Sequence, residues 1–498
     1  MNIVTDLLEG FPASKLALVA IDRQGRRRDW HFGELIARSA GLSGALASRG
    51  VGRGDVVMTL MGNRVEWVLT LLACWRMGAV ALPGNVQLRR RDLELRASAA
   101  RPALCVGEED LLAELPEDVA TMTMDDVAAV LDEDRPQETP ADVAGMDAED
   151  PALIVFTSGT TGEARGAIHA YRYLAGQRAQ AEHWLGVRRD DLVWCTTATG
   201  WSKSARNVFL APWVMGSVAV LQDAGFDPDE RLRLAADLGV DVLCQSPTEY
   251  RIIAKRGTLA PVPGLRRMVS AGEPLNPEIV AAFREAAGID IADGFGQTET
   301  GQVTGNQVGD AVRPGSMGKP LPGFRIRVEE GELQLHAPSC PTFFSGYLSP
   351  DGAEPPELVG GEWWGTGDLV AEDADGYLFF EGRDDDIILS AGYRIGPFEV
   401  ESALLGHPAV AEAAAVAAPD PERGAVVRAV VVLREGSPSE ELVRELQEHC
   451  KEATAPYKFP RIVEFADELP KTSSGKIKRA ELRRTRADTV VAPGKEAE

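Results

Sequence analysis

The segment best equipped for chemistry is a hydroxyl- and glycine-rich run: Thr157, Ser158, Gly159, Thr160, Thr161, Gly162, Glu163, Ala164, Arg165 and Gly166. It follows the apolar stretch Leu153, Ile154, Val155 and Phe156, so the pair reads as a buried strand opening into a phosphate-holding turn. Glycine lets a phosphate approach the backbone closely, and amide and hydroxyl groups donate to its oxygens. The run is not a Walker A loop, because no Gly-Lys-Ser/Thr follows at that spacing. Taken singly, it reads equally well as a Gly/Ser/Thr surface loop.

Four further stretches follow it in chain order: residues 293–301 (Asp-Gly-Phe-Gly-Gln-Thr-Glu-Thr-Gly), 365–368 (Gly-Thr-Gly-Asp), 382–401 and 470–479 (Pro-Lys-Thr-Ser-Ser-Gly-Lys-Ile-Lys-Arg). Together the five resemble the ordered signatures of the acyl-adenylate-forming superfamily: acyl-CoA synthetases, adenylation domains of peptide synthetases and beetle luciferases. The resemblance covers nearly the whole chain and implies ATP, Mg²⁺ and coenzyme A. In that chemistry a carboxylate attacks the α-phosphorus of ATP and expels pyrophosphate. An acid of pKa near ~4.3 is already ionised at neutral pH, so the protein's task is positioning and charge stabilisation.

The resemblance implies roles residue by residue. Thr157, Ser158, Gly159, Thr160, Thr161 and Gly162 hold the β- and γ-phosphates. Arg165 stands where the family usually carries lysine and Ala164 where it usually carries proline; arginine keeps the charge and binds phosphate as a fork. Thr298 meets the α-phosphate and Glu299 is the Mg²⁺ ligand. Gly272, Glu273 and Pro274 lie against adenine, with Asp293, Gly294 and Phe295 completing that wall and Gly296 and Gln297 continuing the nucleotide-binding segment. Asp368 accepts both ribose hydroxyls, as a two-oxygen acceptor can, and Arg383 assists. Lys476 reaches the carboxylate and α-phosphate during adenylation, while Lys471 and Lys478 read as solvated.

For the second step the resemblance implies rotation of the C-terminal domain about a hinge at Asp385. That motion withdraws Lys476 and builds a tunnel for the second nucleophile. Residues 391–401 resemble the acyl-CoA synthetase form, with Gly392 against the pantetheine and Arg394 facing the adenylate. Arg423 is either a ligand of the CoA phosphates or a solvated turn arginine. Residues 200–205, 211–213 and 246–251 are similar to the acetyl and medium-chain acyl-CoA synthetase group. The expected acyl pocket is Trp201, Ser202, Ala205, Gln245, Ser246, Ala271 and Gly272, although Trp201 also suits a core position. No aspartate stands at 243–246 to receive an α-amine, so the implied substrate is a medium-chain fatty, aryl or bulky cyclic acid. The alternatives are a ligase that loads a carrier protein, a luciferase-like oxygenase, and a non-catalytic binding protein; Glu299, Asp368 and Lys476 together argue against the last.

These residues need a scaffold. At 498 residues the chain exceeds one ordinary core. Through about residue 380, short Val/Leu/Ile/Ala runs alternate with amphipathic segments, as in 67–77 followed by 78–83, which predicts an α/β architecture with largely parallel sheets. Beyond Arg383 the texture becomes α+β: 387–389 and 425–433 read as strands, 397–405 and 439–453 as helices. The expectation is a large N-terminal domain (1–384) of α/β subdomains with a β-barrel-like part, a hinge near Asp385, and a small mobile C-terminal domain (386–498).

Composition narrows the partners. Apolar content of 44% and charged content of 26% suit a soluble globular protein. A net charge of −24 argues against nucleic acid or an anionic membrane as partner. The six cysteines form no C-x-x-C pair, so neither a disulfide framework nor a zinc site is expected and a reducing cytoplasm fits. The first residues lack signal-peptide character, and the longest apolar run, 208–221, is too short to span a bilayer. No heptad or interface helix fixes an oligomeric state, and a homodimer stays open.

Overall fold

In the computed structural model the described residues are 2–132, 140–157, 164–350, 352–390, 393–420, 423–471, 476–484 and 489–491. Two sheets form the scaffold of the larger lobe. The seven-stranded sheet runs in the order Ile291–Gly294, Arg267–Ala271, Val242–Gln245, Leu192–Cys195, Val218–Gln222, Leu16–Ile21, Arg27–His31, with every neighbouring pair parallel except the last. In the eight-stranded sheet, Pro151–Phe156, Val80–Gly84, Val56–Leu60, Leu104–Gly107 and Thr121–Thr123 are parallel neighbours. Gly166–Ala170, Gly346–Ser349 and Gly352–Glu354 extend that sheet antiparallel.

Local sequence explains where these elements begin and end. The helix Val65–Met77 stops at Gly78, whose φ of 78° supplies the left-handed turn, and the strand Val80–Gly84 follows. The helix Pro247–Arg256 starts on a reciprocal cap between Ser246 and Glu249, with proline at its first turn. Between the sheets lies an aromatic core in which Trp67, Trp75 and Trp213 all pack on Phe209, their ring centroids 5.5, 6.1 and 4.8 Å from it. Such fully buried side chains each contribute about 1.5–3 kcal/mol by leaving water.

The part expected to be barrel-like contains a four-stranded antiparallel sheet, Ile326–Glu329, Glu332–His336, Trp363–Glu372 and Leu378–Arg383. Its last hairpin sets Asp368 opposite Arg383. The chain then passes through a short turn, Asp384–Asp386, into a separate sheet with its own apolar cluster around Val400, Leu404, Val431, Val443 and Leu446. There the long hairpin Val410–Asp420 and Gly424–Leu433 pairs with Ile388–Ser390 on one side and Ile462–Phe465 on the other. Helices Pro397–Leu405 and Glu440–Ala453 cover this sheet, the second capped by the Ser439 hydroxyl.

Candidate active site

A cleft of about 2790 Å³ opens where the C-terminal ends of the parallel strands meet the antiparallel sheet and the smaller lobe. Thr157 follows its strand into the cleft, as do Ser246, Gly272 and Gly294, whereas Lys476 enters from the opposite lobe. Ligands gather at such strand ends because the loops there diverge and leave a crevice. Of the expected phosphate loop, Ser158, Gly159, Thr160, Thr161 and Gly162 lie outside the described residues. Its base is closed by the Thr157 amide donating to the Arg165 carbonyl at 2.8 Å.

Arg165 is placed by residues that sequence reasoning did not single out. Its guanidinium lies 3.7 Å from the Tyr347 ring centre and pairs with Glu354 at 2.7 Å. The Tyr347 hydroxyl in turn donates to Glu299 Oε1 at 2.7 Å. Burial, with the Glu299 charge second, raises the Tyr347 phenol above its ordinary value, so it stays protonated and keeps donating. Glu299 is thus oriented by the strand Gly346–Ser349, which Arg165 also touches. The Glu299 loop reverses tightly: a Cβ on Gly296 would sit 2.0 Å from the Gly301 carbonyl oxygen, so only glycine fits there.

The expected ribose pair is assembled. Arg383 Nη1 lies 3.2 Å from Asp368 Oδ1, and Gln297 Nε2 donates to Asp368 Oδ2 at 2.6 Å and to the Thr366 carbonyl at 2.7 Å. Gln297 is itself fixed by the Trp364 indole donating to its Oε1 at 3.1 Å. Asp368 is 4% exposed, and burial pushes its carboxyl up to about 6 against the opposing pull of Arg383. On the expected adenine side, Gly272 has φ of 106°, and Glu273 accepts from Thr248 Oγ1 at 2.8 Å and from Arg251 at 2.5 Å. Asp293 is buried with Oδ1 lacking a partner, and that burial pushes its carboxyl well above the carboxylate range.

Lys476 faces these groups. Protein walls surround it, and the resulting desolvation lowers its ammonium pKa while Glu273 and Asp368 oppose the shift. The side chain itself is exposed to the cleft. The neighbouring basic residues are held within their own lobe: Lys471 by Glu412, Lys458 by Glu399, and Arg479 by Glu401 through two contacts of 2.7 and 2.8 Å. Lys471, expected to be solvated, is therefore ion-paired. Gly392 and the side chains of Asp385 and Arg394 lie outside the described residues, and Arg423 is exposed on the hairpin turn, its amide donating to Asp420 at 2.8 Å.

On the acyl side, Trp201, Ser202, Ser246, Ala271 and Gly272 line the cleft, whereas Ala205 and Gln245 are fully buried and do not. The side chains that line it beside Trp201 are instead Lys203 and Arg206, a pair the expected pocket omits. Their signal is two cations three residues apart in a helical segment, a spacing that places both on one face.

Residues 7–347 match the family model of the AMP-binding enzyme, and residues 399–476 match that of the AMP-binding enzyme C-terminal domain. The chain belongs to the AMP-binding enzyme family. Among its relatives, the mitochondrial acyl-coenzyme A synthetase ACSM3 of Mus musculus is 37% identical over 93% of this chain and 85% of its own length. The uncharacterized acyl-CoA ligase YtcI of Bacillus subtilis is 36% identical over 97% of this chain and 96% of its own. Among solved structures, the anthranilate CoA ligase AuaEII in complex with anthranoyl-AMP superposes with a TM-score of 0.85 at 30% identity, covering 97% of each chain. No helix among the described residues is long and apolar enough to cross a membrane.

Proposed function

We propose that this chain is an ATP-dependent acyl-CoA synthetase, an AMP-forming acid–thiol ligase. A carboxylate oxygen of the substrate attacks the α-phosphorus of ATP, and pyrophosphate departs with the electron pair of the broken phosphoanhydride bond. The thiol of CoA then gives up its proton, its sulfur attacks the acyl carbonyl carbon, and AMP leaves. The observation that carries this reading is Lys476, delivered by the smaller lobe into the cleft that holds the Asp368–Arg383 pair and Glu273. A flexible point charge there stabilises negative charge as acid and phosphate join.

Asp368, with Arg383 and Gln297 fixing both its oxygens, receives the ribose. Glu299 fits Mg²⁺: a hard cation takes one carboxylate from the protein and its other ligands from phosphate and water. The Tyr347 bond to Oε1 aims that carboxylate, and the described residues offer no competing cluster of three or more His, Cys, Asp or Glu. When bound, the metal would neutralise charge on the ATP phosphates and the departing pyrophosphate.

The second half-reaction requires Lys476 to leave. Arg383 is tied to Asp368 in the larger lobe, while Asp386 is tied to Arg479 and Arg483 in the smaller one, so the hinge falls between them, at Asp384 and Asp385. Leu389, Tyr393 and Tyr457 are 59, 51 and 43% exposed on the smaller lobe, an apolar surface suited to docking after rotation. Free CoA is the favoured acceptor over a carrier protein, and the buried, unbridged cysteines support a reducing compartment such as the cytoplasm.

The test is pyrophosphate release from ATP and Mg²⁺ across a panel of fatty, aryl and cyclic acids, with CoA, with a phosphopantetheinylated carrier, and with neither. Acid-dependent release, with thioester forming on CoA, is expected. No release with any acid refutes the reading.

A further inference from the structure

The acyl side of the cleft contains a feature that a pocket for purely apolar acids has no use for. Arg206 is 2% exposed and borders the cleft, yet its Nε and Nη1 have no hydrogen-bond partner and its guanidinium no ion pair among the described residues. A guanidinium cannot shed its proton to escape this situation. Burying a guanidinium with donors unsatisfied is costly. The neighbours supply no counter-charge. His169 is buried and pushed down to about 3 by desolvation, with the Arg206 charge the second cause, so it is neutral; Tyr173 stacks on it at 4.1 Å and is a protonated phenol. On the other side, Nη1 approaches the small Gly301, where a Cβ would lie 3.2 Å from it.

The local backbone adds to the case. Arg206 opens a π-helical turn, Arg206–Leu210, directly after the short helix Lys203–Ala205. Such widened turns re-aim side chains and recur at functional sites. Lys203, on the same face, donates to the Ala271 carbonyl and also borders the cleft. Two cations thus stand beside Trp201 on the acyl wall, and the one deeper in the protein lacks an anion.

We propose that the acyl pocket takes an acid bearing a second carboxylate, which Arg206 receives while the first carboxylate reacts with ATP, Lys203 adding to the field. This deepens the ligase reading and rests on it. A fork of two parallel donors matches a carboxylate, and a buried cation discriminates strongly against a substrate lacking the anion because it is then left unpaired.

The experiment compares matched pairs, hexanoate with hexanedioate, octanoate with octanedioate and benzoate with benzene-1,4-dicarboxylate, on the full-length protein and on Arg206→Met and Arg206→Lys. In pyrophosphate release the wild type should favour the best diacid over its monoacid partner by at least tenfold in kcat/KM. Arg206→Met should lose at least a hundredfold on the diacid while changing the monoacid less than fivefold, and Arg206→Lys should fall between. Calorimetric binding of the same acids without nucleotide should show the same order. Replacing an unpaired buried cation by a flexible apolar side chain should also leave the melting temperature of ligand-free Arg206→Met equal to or above wild type. Equal use and equal binding of monoacid and diacid by the wild type, or an Arg206→Met variant that keeps the diacid preference, overturns the proposal. If no acid releases pyrophosphate, the ligase reading fails, and the binding series alone still decides whether Arg206 selects a second carboxylate.

Discussion

Asp368 should cost the empty protein stability at the pH where the enzyme works. Its carboxyl is moved from the ordinary 3.8 up to about 6 because burial outweighs the help of Arg383. Below 3.8 the group is protonated in both folded and unfolded chains, and nothing is lost. As pH rises from 3.8 towards 6 the unfolded chain releases a proton that the folded chain retains, so stability falls through this window and levels off above it. At ~1.36 kcal/mol per pH unit the full loss is about 3 kcal/mol. Asp368→Asn removes the titration and keeps one oxygen as an acceptor, and the shift from which the loss is worked already includes the pull of Arg383. Ligand-free Asp368→Asn should therefore be more stable than wild type by about 3 kcal/mol at pH 8, and by about 1.5 kcal/mol at pH 5. Urea unfolding at the two pH values measures this. In parallel, ATP affinity should weaken at least tenfold, because the ribose loses its two-oxygen acceptor. A variant no more stable than wild type at pH 8, or one whose advantage is the same at both pH values, would refute the reasoning.

Lys476→Ala should lower pyrophosphate release at least a hundredfold, as removal of a transition-state charge partner does, while thioester formation from supplied acyl-AMP and CoA changes less than fivefold; equal loss in both halves would contradict a lysine used only for adenylation. Tyr347→Phe should cut adenylation about tenfold and raise the Mg²⁺ concentration needed for half-maximal rate, because Glu299 loses the donor that aims it; an unchanged Mg²⁺ profile would separate Tyr347 from the metal. Tyr393→Ala should leave CoA-independent pyrophosphate release within twofold of wild type and slow thioester formation at least tenfold, and a matching fall in both rates would show that the exposed Tyr393–Tyr457 stack serves something other than the second step.

Much of the architecture was legible because it is written locally. The helix expected at 397–405 is Pro397–Leu405, and the one expected from Ser439 begins at Glu440 with Ser439 as its cap, since apolar period, proline and capping hydroxyl agree there. Asp368, Arg383 and Lys476 were identified by motif, and the cleft does collect them. The contacts that aim the site were not legible. Tyr347 reaches Glu299 across 48 residues and Arg165 reaches Glu354 across 189, and in the sequence Tyr347 is one more aromatic after Phe343 and Phe344. Arg206 was hidden for a different reason. Its residue type alone does not set it apart from a solvated cation, and only its burial with no hydrogen-bond partner on Nε and Nη1 marks it. Ala205 and Gln245 illustrate the converse error: residues of pocket-like type placed one step behind the wall because the helical turn and the strand face them inward.

In the proposed cycle the lysine that serves adenylation belongs to a lobe that can withdraw it. The basic side chains flanking it, Lys458, Lys471 and Arg479, pair with Glu399, Glu412 and Glu401 of their own lobe, so a rotation of that lobe would carry those pairs along unbroken. What joins the lobes near the cleft is lighter: Asn276 to Ser402 at 3.1 Å, Lys255 to the Ala411 carbonyl, and Phe380 against Phe398 at 6.3 Å. Contacts of this kind contribute about 0.5–1.5 kcal/mol each, within the few kcal/mol that separate interconverting states of a mobile domain. Around Lys476, Glu273 and Asp368 attract its charge while Lys203 and Arg383 repel it. In the proposed cycle, departure of pyrophosphate removes part of the negative charge that favours a cation there, which would weaken the hold of the cleft on the smaller lobe before the thiol attacks the acyl carbonyl.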